Sequence, residues 1–304
     1  MSRNRVVQPA SRRQFWSTAL VASGAWLLGG CSGAQLLTAL TPATAVQVHT
    51  GLAYGQDPRQ QLDLYQPLGR RGPLPVLVFV HGGAWEFGER ADYGFVGKSF
   101  AQAGFLTAII SYRLAPQHVY PAFVEDTVDA IGWVGRHAGD YQGDAHQLVV
   151  MGHSAGAFNA VAAVDDPRHW ARTGLQAGQV LAVIGLAGPY SYDHRTDPSR
   201  VAFPMDSTPE QVMADRHLRA DAPPHLLMTG GRDTRVAPGN LTRMVAALES
   251  QQIPVTVINM PRANHAGLVA TLSPVASVVG DTRTRILDWL AGLSPAVTSP
   301  APTH

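Results

Sequence analysis

Short apolar runs alternate along the chain with longer stretches whose apolar residues return every third or fourth position. The runs predict strands at Val46–Tyr54, Gln61–Gln66, Val76–Val80, Thr107–Tyr112, Gln147–Met151, Val180–Leu186, Leu226–Thr229 and Val255–Asn259. Several show no polar alternation: Val76-Leu77-Val78-Phe79-Val80 is apolar throughout, as a strand covered on both faces is. Between the strands, Phe123–His137 sets Val124, Val128, Ile131 and Val134 at helical spacing, with Glu125, Asp126 and Asp129 opposite. Asn240–Glu249 and Thr282–Leu290 repeat that pattern. Strand, helix, strand in succession predicts an α/β fold, an eight-stranded and mostly parallel sheet flanked by helices. The amphipathic pair around Val46–Gln66 predicts an antiparallel opening. Ser191–Ala222, rich in Asp, Pro, Arg and Ser and without a clean period, reads as a small cap-like insertion over the C-terminal sheet edge.

The two ends follow a different pattern. Ser11-Arg12-Arg13-Gln14-Phe15-Trp16 opens an apolar run that ends at Leu28. At about 1.5 Å per residue this run spans roughly 21 Å, short of the ~30 Å hydrocarbon core, so a signal peptide over 1–30 fits better than a spanning helix. The arginine pair favours export by the twin-arginine route, against an ordinary secretory leader with two adjacent arginines. Leu28-Gly29-Gly30-Cys31 resembles a bacterial lipobox, and Cys31 is the chain's one cysteine. Acylation there would anchor the protein to a membrane, in the cell envelope, since two acyl chains suffice where one is marginal. The alternative is a signal-peptidase site with an incidental cysteine. Residues 31–45 are small and polar with Pro42 and read as a tether, leaving one domain over 46–293 and a disordered tail over 294–304.

Composition removes some classes. Net charge is +1, and 45% of residues are hydrophobic, which excludes a mainly disordered chain. Arg3, Arg5, Arg12 and Arg13 face no acid in the first thirty residues; beyond them 19 cations meet 22 acids. No basic stripe remains for nucleic acid. One cysteine allows neither an intrachain disulfide nor a cysteine-rich zinc site. Lys98 is the only lysine among 23 cations.

The chemistry concentrates in three places. Gly152-His153-Ser154-Ala155-Gly156 follows a predicted strand and precedes the helix-like Ala157–Val164, the setting of a nucleophile elbow with Ser154 at its tip. A serine hydroxyl needs a base, and the base needs an orienting carboxylate. Asp233 ends the glycine turn after strand Leu226–Thr229, and His265 follows the last strand, so both fall at the sheet edge that holds Ser154. Asp221 is a poor substitute because it precedes its strand. His81-Gly82-Gly83-Ala84-Trp85 follows Val76–Val80 and would aim the N–H groups of Gly82 and Gly83, with that of Ala155, at an oxyanion. His81 reads as a structural support of this loop. His153, Trp85 and Tyr190 are placed as pocket walls, with core packing as the alternative, and Tyr192, Phe203 and Met205 are further wall positions.

These motifs, together with Ser111-Tyr112-Arg113-Leu114-Ala115-Pro116, Tyr120-Pro121-Ala122-Phe123-Val124-Glu125-Asp126 and Leu186-Ala187-Gly188-Pro189-Tyr190, resemble the esterase branch of the α/β hydrolases. The likeness is to the BD-FAE-like group, neighbours of hormone-sensitive-lipase-type carboxylesterases, and spans about Gln60 to Leu290. It implies an α/β-hydrolase fold, a Ser154–Asp233–His265 triad, a small-molecule ester substrate and no metal or organic cofactor. Tyr112-Arg113 and Glu125-Asp126 then read as a structural polar network. Hormone-sensitive-lipase relatives carry a third glycine where this chain has Ala84 followed by Trp85, a variant shared with kynurenine formamidases. The expected function is therefore a serine hydrolase of carboxylic esters. The alternatives are an arylformamidase and a non-catalytic lipid-anchored binding protein. A prolyl-oligopeptidase-type peptidase would need a large extra domain for which the chain has no room.

Overall fold

The computed structural model describes residues 30–70 and 72–293, the side chains of 30–32 excepted; the expected leader and the 294–304 tail lie outside the described residues. Eight strands form one sheet: β1 (Val46–Ala53), β2 (Gln61–Pro67), β3 (Leu74–Val80), β4 (Leu106–Ile110), β5 (Gly143–His153), β6 (Val180–Leu186), β7 (His225–Gly230) and β8 (Val255–Met260). Their order is β1-β2-β4-β3-β5-β6-β7-β8. The pairs β1–β2 and β2–β4 are antiparallel and the rest are parallel, so the expected antiparallel opening and parallel body are both present.

The helices are α1 (Gly30–Leu40), α2 (Gly94–Gln102), α3 (Ala122–His137), α4 (Ala155–Asp165), α5 (Pro167–Trp170), α6 (Pro209–Val212), α7 (Gly239–Ser250), α8 (His265–Ala270) and α9 (Thr282–Leu293). β3 shows why apolar runs without alternation mark the centre of the sheet. Every residue of it is buried, and successive side chains enter opposite cores. Val76, Val78 and Val80 share one core with Val124, Val128 and Ile131 of α3, Phe158 and Val161 of α4, and Met244 and Leu248 of α7. Leu77 and Phe79 meet Phe95 and Phe100 of α2 and Ile286 and Leu290 of α9. Asp165 at the end of α4 and His225 at the start of β7 lie 2.8 Å apart and are fully buried, linking the helix after Ser154 to the strand before Asp233.

One segment departs from the expectation. In place of a tether over 31–45 the chain forms α1, which packs on the second core through Ala34 and Leu37. Thr38 Oγ1 donates to Asp92 O at 3.3 Å and accepts from Phe95 N at 3.1 Å, and Lys98 Nζ donates to Thr38 O at 2.6 Å and to Thr41 O at 3.3 Å. An i, i+3 apolar pair and a lysine on the last carbonyls thus convert a small-residue stretch into a docked helix. The insertion Ser191–Ala222 contains α6 and 3₁₀ turns at His194–Thr196, Pro198–Ala202 and Ala214–Arg216. Its aspartates start the turns, Asp193 accepting from Arg195 N and Asp197 from Ser199 N, which explains the aperiodic sequence.

The polar pairs are structural, as expected. Asp126 is fully buried and accepts Arg113 Nη2 at 2.7 Å and Gln60 Nε2 at 2.7 Å. Glu125 instead pairs with Arg172 at 2.9 Å on the surface. A shallow hollow between Arg70, Pro73, Gly139 and Gln142 lies at the N-terminal ends of β3 and β5, where no expected site residue occurs.

Candidate active site

Ser154 sits between the last residue of β5 and the first of α4 with φ 55° and ψ −125°. Non-glycine residues avoid this left-handed region, and the surroundings must hold it there. Ser154 N donates to Leu186 O at 2.8 Å, and Ser154 O accepts Ala157 N at 2.9 Å. The flanking glycines are dictated by close approach. A Cβ on Gly152 would run into the carbonyl of Gly156, and one on Gly156 into that of Val80. The Ala155 N–H is the first of a helix N-terminus, where negative charge is favoured.

Asp233 follows β7 and His265 opens α8, so both lie beyond the C-terminal ends of their strands. His265 Nδ1 and Asp233 Oδ2 are 2.8 Å apart. Asp233 Oδ1 accepts the N–H of Arg235 at 2.8 Å and of Val236 at 3.2 Å. Burial alone would raise the Asp233 pKa, but the hydrogen bonds from His265 and these two amides hold it below the ordinary carboxylate value. With Nδ1 donating to the carboxylate, Nε2 is the ring nitrogen of His265 left to take a proton. Asn264 fixes the start of α8 by accepting Gly267 N at 2.8 Å. Asp221 is exposed and paired with Arg219 at 2.9 Å, away from His265.

His153 joins the pair to the elbow. Its Nε2 donates to His265 O at 3.0 Å, and the two rings lie 4.8 Å apart. Burial, then the neighbouring His265, push the His153 pKa down to about 3, so the ring is neutral. The sequence placed His153 at a pocket wall; its contacts make it the support of the His265 backbone.

The loop after β3 is held in an unusual course. Gly83, Ala84 and Trp85 have φ of 127°, 51° and 62° in succession. A Cβ on Gly82 would lie 3.1 Å from Ser154 Cβ, so this backbone passes directly beside the serine, and a Cβ on Gly83 would overlap the Phe87 carbonyl. His81 supports the loop as expected: it is fully buried, its Nδ1 donates to Gly82 O at 2.7 Å, and its ring stacks on Tyr112 at 4.3 Å. Tyr112 Oη donates to His81 O at 3.0 Å. Arg59, which the sequence did not single out, donates to Tyr112 O at 2.8 Å and to Gly88 O at 2.5 Å. Nothing in its local pattern marks it, because its two acceptors come from distant loops.

Burial pushes the pKa of His81, like that of His153, down to about 3. A histidine neutral in the fold protonates near pH 6.5 once unfolded, so its contribution to stability is full above that pH and declines as pH falls toward 3. These two residues are expected to remove about 1 kcal/mol each by about pH 5.5, still above the carboxylate range. Urea midpoints at neutral pH and near pH 5.5 check this; equal midpoints would contradict it.

Two expected wall residues belong to the core instead. Trp85 is 1% exposed, its indole N–H donates to Asn159 Oδ1 at 2.8 Å, and its ring is enclosed by Phe123, Phe158 and Phe203 at 5.2–5.4 Å. Tyr190 is 2% exposed and packs over Gly185 and Gly188. Trp85 is structural because its aromatic belt fastens the insertion, through Phe203, to α3 and α4, whereas Tyr190 fills the space left by the glycines of β6 and the loop after it. Tyr192 is bonded to Ser199 at 2.7 Å, whereas Met205 is fully exposed. Cys31 falls in α1, with its side chain outside the description. Among the described residues no group of three or more His, Cys, Asp or Glu is arranged to hold a metal ion, and no helix is long and apolar enough to cross a membrane.

Residues 62–192 match the BD-FAE family. The chain is 33% identical over 238 residues to "Esterase LipC" of Mycobacterium tuberculosis, covering 70% of this chain and 58% of that one. It is 37% identical over 155 residues to "Probable isoprenylcysteine alpha-carbonyl methylesterase ICME" of Oryza sativa subsp. japonica, covering 50% of this chain and 37% of that one. The chain thus spans well under two thirds of the length of these curated relatives. An esterase B structure from Lactobacillus rhamnosis superposes with a TM-score of 0.71 at 19% identity, over 86% of this chain and 92% of that one, a likeness of fold.

Proposed function

From a chain that carries a BD-FAE domain on an α/β-hydrolase fold, we propose a serine hydrolase that cleaves carboxylic esters through an acyl-enzyme. The observation that carries the proposal is the 2.8 Å Asp233–His265 hydrogen bond, tied through His153 to a serine held at φ 55° on a strand-to-helix turn. His265 Nε2 takes the Ser154 proton as Oγ attacks the ester carbonyl, and the Asp233 carboxylate stabilises the imidazolium so formed. The N–H groups of Gly82, Gly83 and Ala155 hold the oxyanion. The intermediate collapses, the alcohol leaves with the proton from His265, and the acyl group stays on Ser154. Water then gives a proton to His265 and attacks the acyl-enzyme. Release of the acid returns the proton to Ser154.

Ester cleavage is favoured over formamide cleavage because the relatives matched carry esterase names. The Ala84-Trp85 variant does not separate the two, since its tryptophan packs in the aromatic belt. Export and acylation at Cys31 remain part of this proposal, on the twin-arginine and lipobox patterns alone.

The test is a fluorophosphonate probe with a substrate panel: p-nitrophenyl esters from acetate to laurate, methyl ferulate and N-formylkynurenine. Labelling at Ser154 with ester turnover is the expected result. Turnover of the formamide alone would favour the arylformamidase, and neither labelling nor turnover would favour a binding protein.

A further inference from the structure

Five exposed apolar side chains lie on α1 and on a segment joined to its end. Leu36 and Leu40, one helical turn apart, are 59% and 54% exposed, while Ala34 and Leu37 of the same helix enter the core. α1 therefore presents two apolar faces and has used only one. Thr41 Oγ1 and Ser273 Oγ, 2.8 Å apart and buried, join the end of α1 to the turn Pro274–Ala276 and the residues after it. There Val275, Val278 and Val279 are 42%, 90% and 70% exposed. No charged residue occurs in 30–45 or in 266–280. Cations beside these segments are committed to the protein: Lys98 to the α1 carbonyls, Arg283 to Ser99 O at 3.0 Å and Arg285 to Asp281 at 2.8 Å.

We propose that the face formed by Leu36, Leu40, Val275, Val278 and Val279 rests on a lipid bilayer, at the boundary between headgroups and acyl chains. Contiguous apolar surface of this kind on a folded domain marks a binding surface. The occupant is indicated by what precedes it. The apolar run Phe15–Leu28 ends two residues before α1 begins, so a membrane that takes up this run, or an acyl chain on Cys31, brings the bilayer to the N-terminal end of this helix. Two apolar segments that carry no charge of their own fit the acyl boundary, whereas a protein interface of this size would carry a polar rim within them. Because α8 opens at His265 and leads to Ser273 within a few residues, the contact also sets the candidate catalytic edge near the lipid. The proposal does not rest on ester chemistry.

The test uses the full chain with Cys31→Ser, which removes its one cysteine, and an environment-sensitive fluorophore introduced by Val278→Cys. A second protein carries the same fluorophore through Gln251→Cys at the exposed end of α7. Both are mixed with phosphatidylethanolamine–phosphatidylglycerol vesicles containing a lipid spin-labelled on its acyl chain. Quenching at 278 and not at 251 is expected. In flotation, Leu36→Gln with Leu40→Gln and Val279→Ser should lower vesicle affinity about tenfold or more. Equal quenching at both positions, unchanged affinity of the triple variant, or no vesicle binding would overturn the proposal. So would shielding of position 278 without lipid: with a doubled mass the occupant is a second copy, and with a monomer mass it is the chain's own N-terminal run.

Discussion

Ser154→Ala is expected to lower kcat on p-nitrophenyl acetate by about 10⁴- to 10⁶-fold with KM changed little. In the proposed mechanism the hydroxyl oxygen is the atom that becomes acylated, so no neighbour can replace it, and the residual rate is what the oxyanion donors would supply over water. The fold should survive, because alanine occupies the same space and the backbone bonds from Ser154 N to Leu186 O and from Ala157 N to Ser154 O do not use the side chain. Since the residues act as a unit, His265→Ala should cost nearly as much alone as in combination with Ser154→Ala. Steady-state kinetics with a melting curve for each variant read both quantities. A loss of less than about a hundredfold with an intact fold would remove Ser154 from the nucleophile role.

Trp85→Ala is expected to cost about 3–5 kcal/mol of stability, a large part of what a domain of this kind has. The indole fills the space between α3, α4 and the insertion, touching Phe123, Phe158 and Phe203, and its removal also leaves the buried Asn159 carbonyl without its donor. Trp85→Phe keeps most of the packing and loses only the N–H, so its cost should be nearer 1–2 kcal/mol. Urea unfolding of the two variants gives the comparison. If instead both were as stable as the wild type and changed KM with acyl length, Trp85 would be a substrate contact and the belt would be incidental.

The sheet was legible because its centre is buried on both faces. β3 and β6 leave no room for polar residues, and so their runs stand out at nearly their true boundaries. The site was legible for a related reason. A nucleophile turn must have glycines at fixed places, and Gly152 and Gly156 are demanded by carbonyls on the facing backbone. What stayed hidden depends on partners far along the chain. α2 carries Gly94 and Gly97, which weaken a helical reading, yet the ring of Tyr65 occupies the space a side chain on Gly97 would need. α1 looked like a tether because its stabilising contacts come from Asp92, Phe95 and Lys98. Whether Trp85 and Tyr190 faced a pocket or the core turned on Phe203 and on the glycines of β6 and its loop, and no local period records that.

Lys98 gives the docked helix a practical meaning for anyone handling the protein. It is the only lysine in the sequence, and its ammonium group is engaged by the carbonyls of Thr38 and Thr41. Apart from an α-amine, amine-directed reagents therefore have a single side chain to find, one that is half-buried with its ammonium group held at the end of α1. A single acylation at Lys98 is readable by intact mass without any added label, and its rate senses this contact. Amine coupling to a solid support would hold the protein at one point and compete with that contact, so the exposed carboxylates are the better handles for immobilisation.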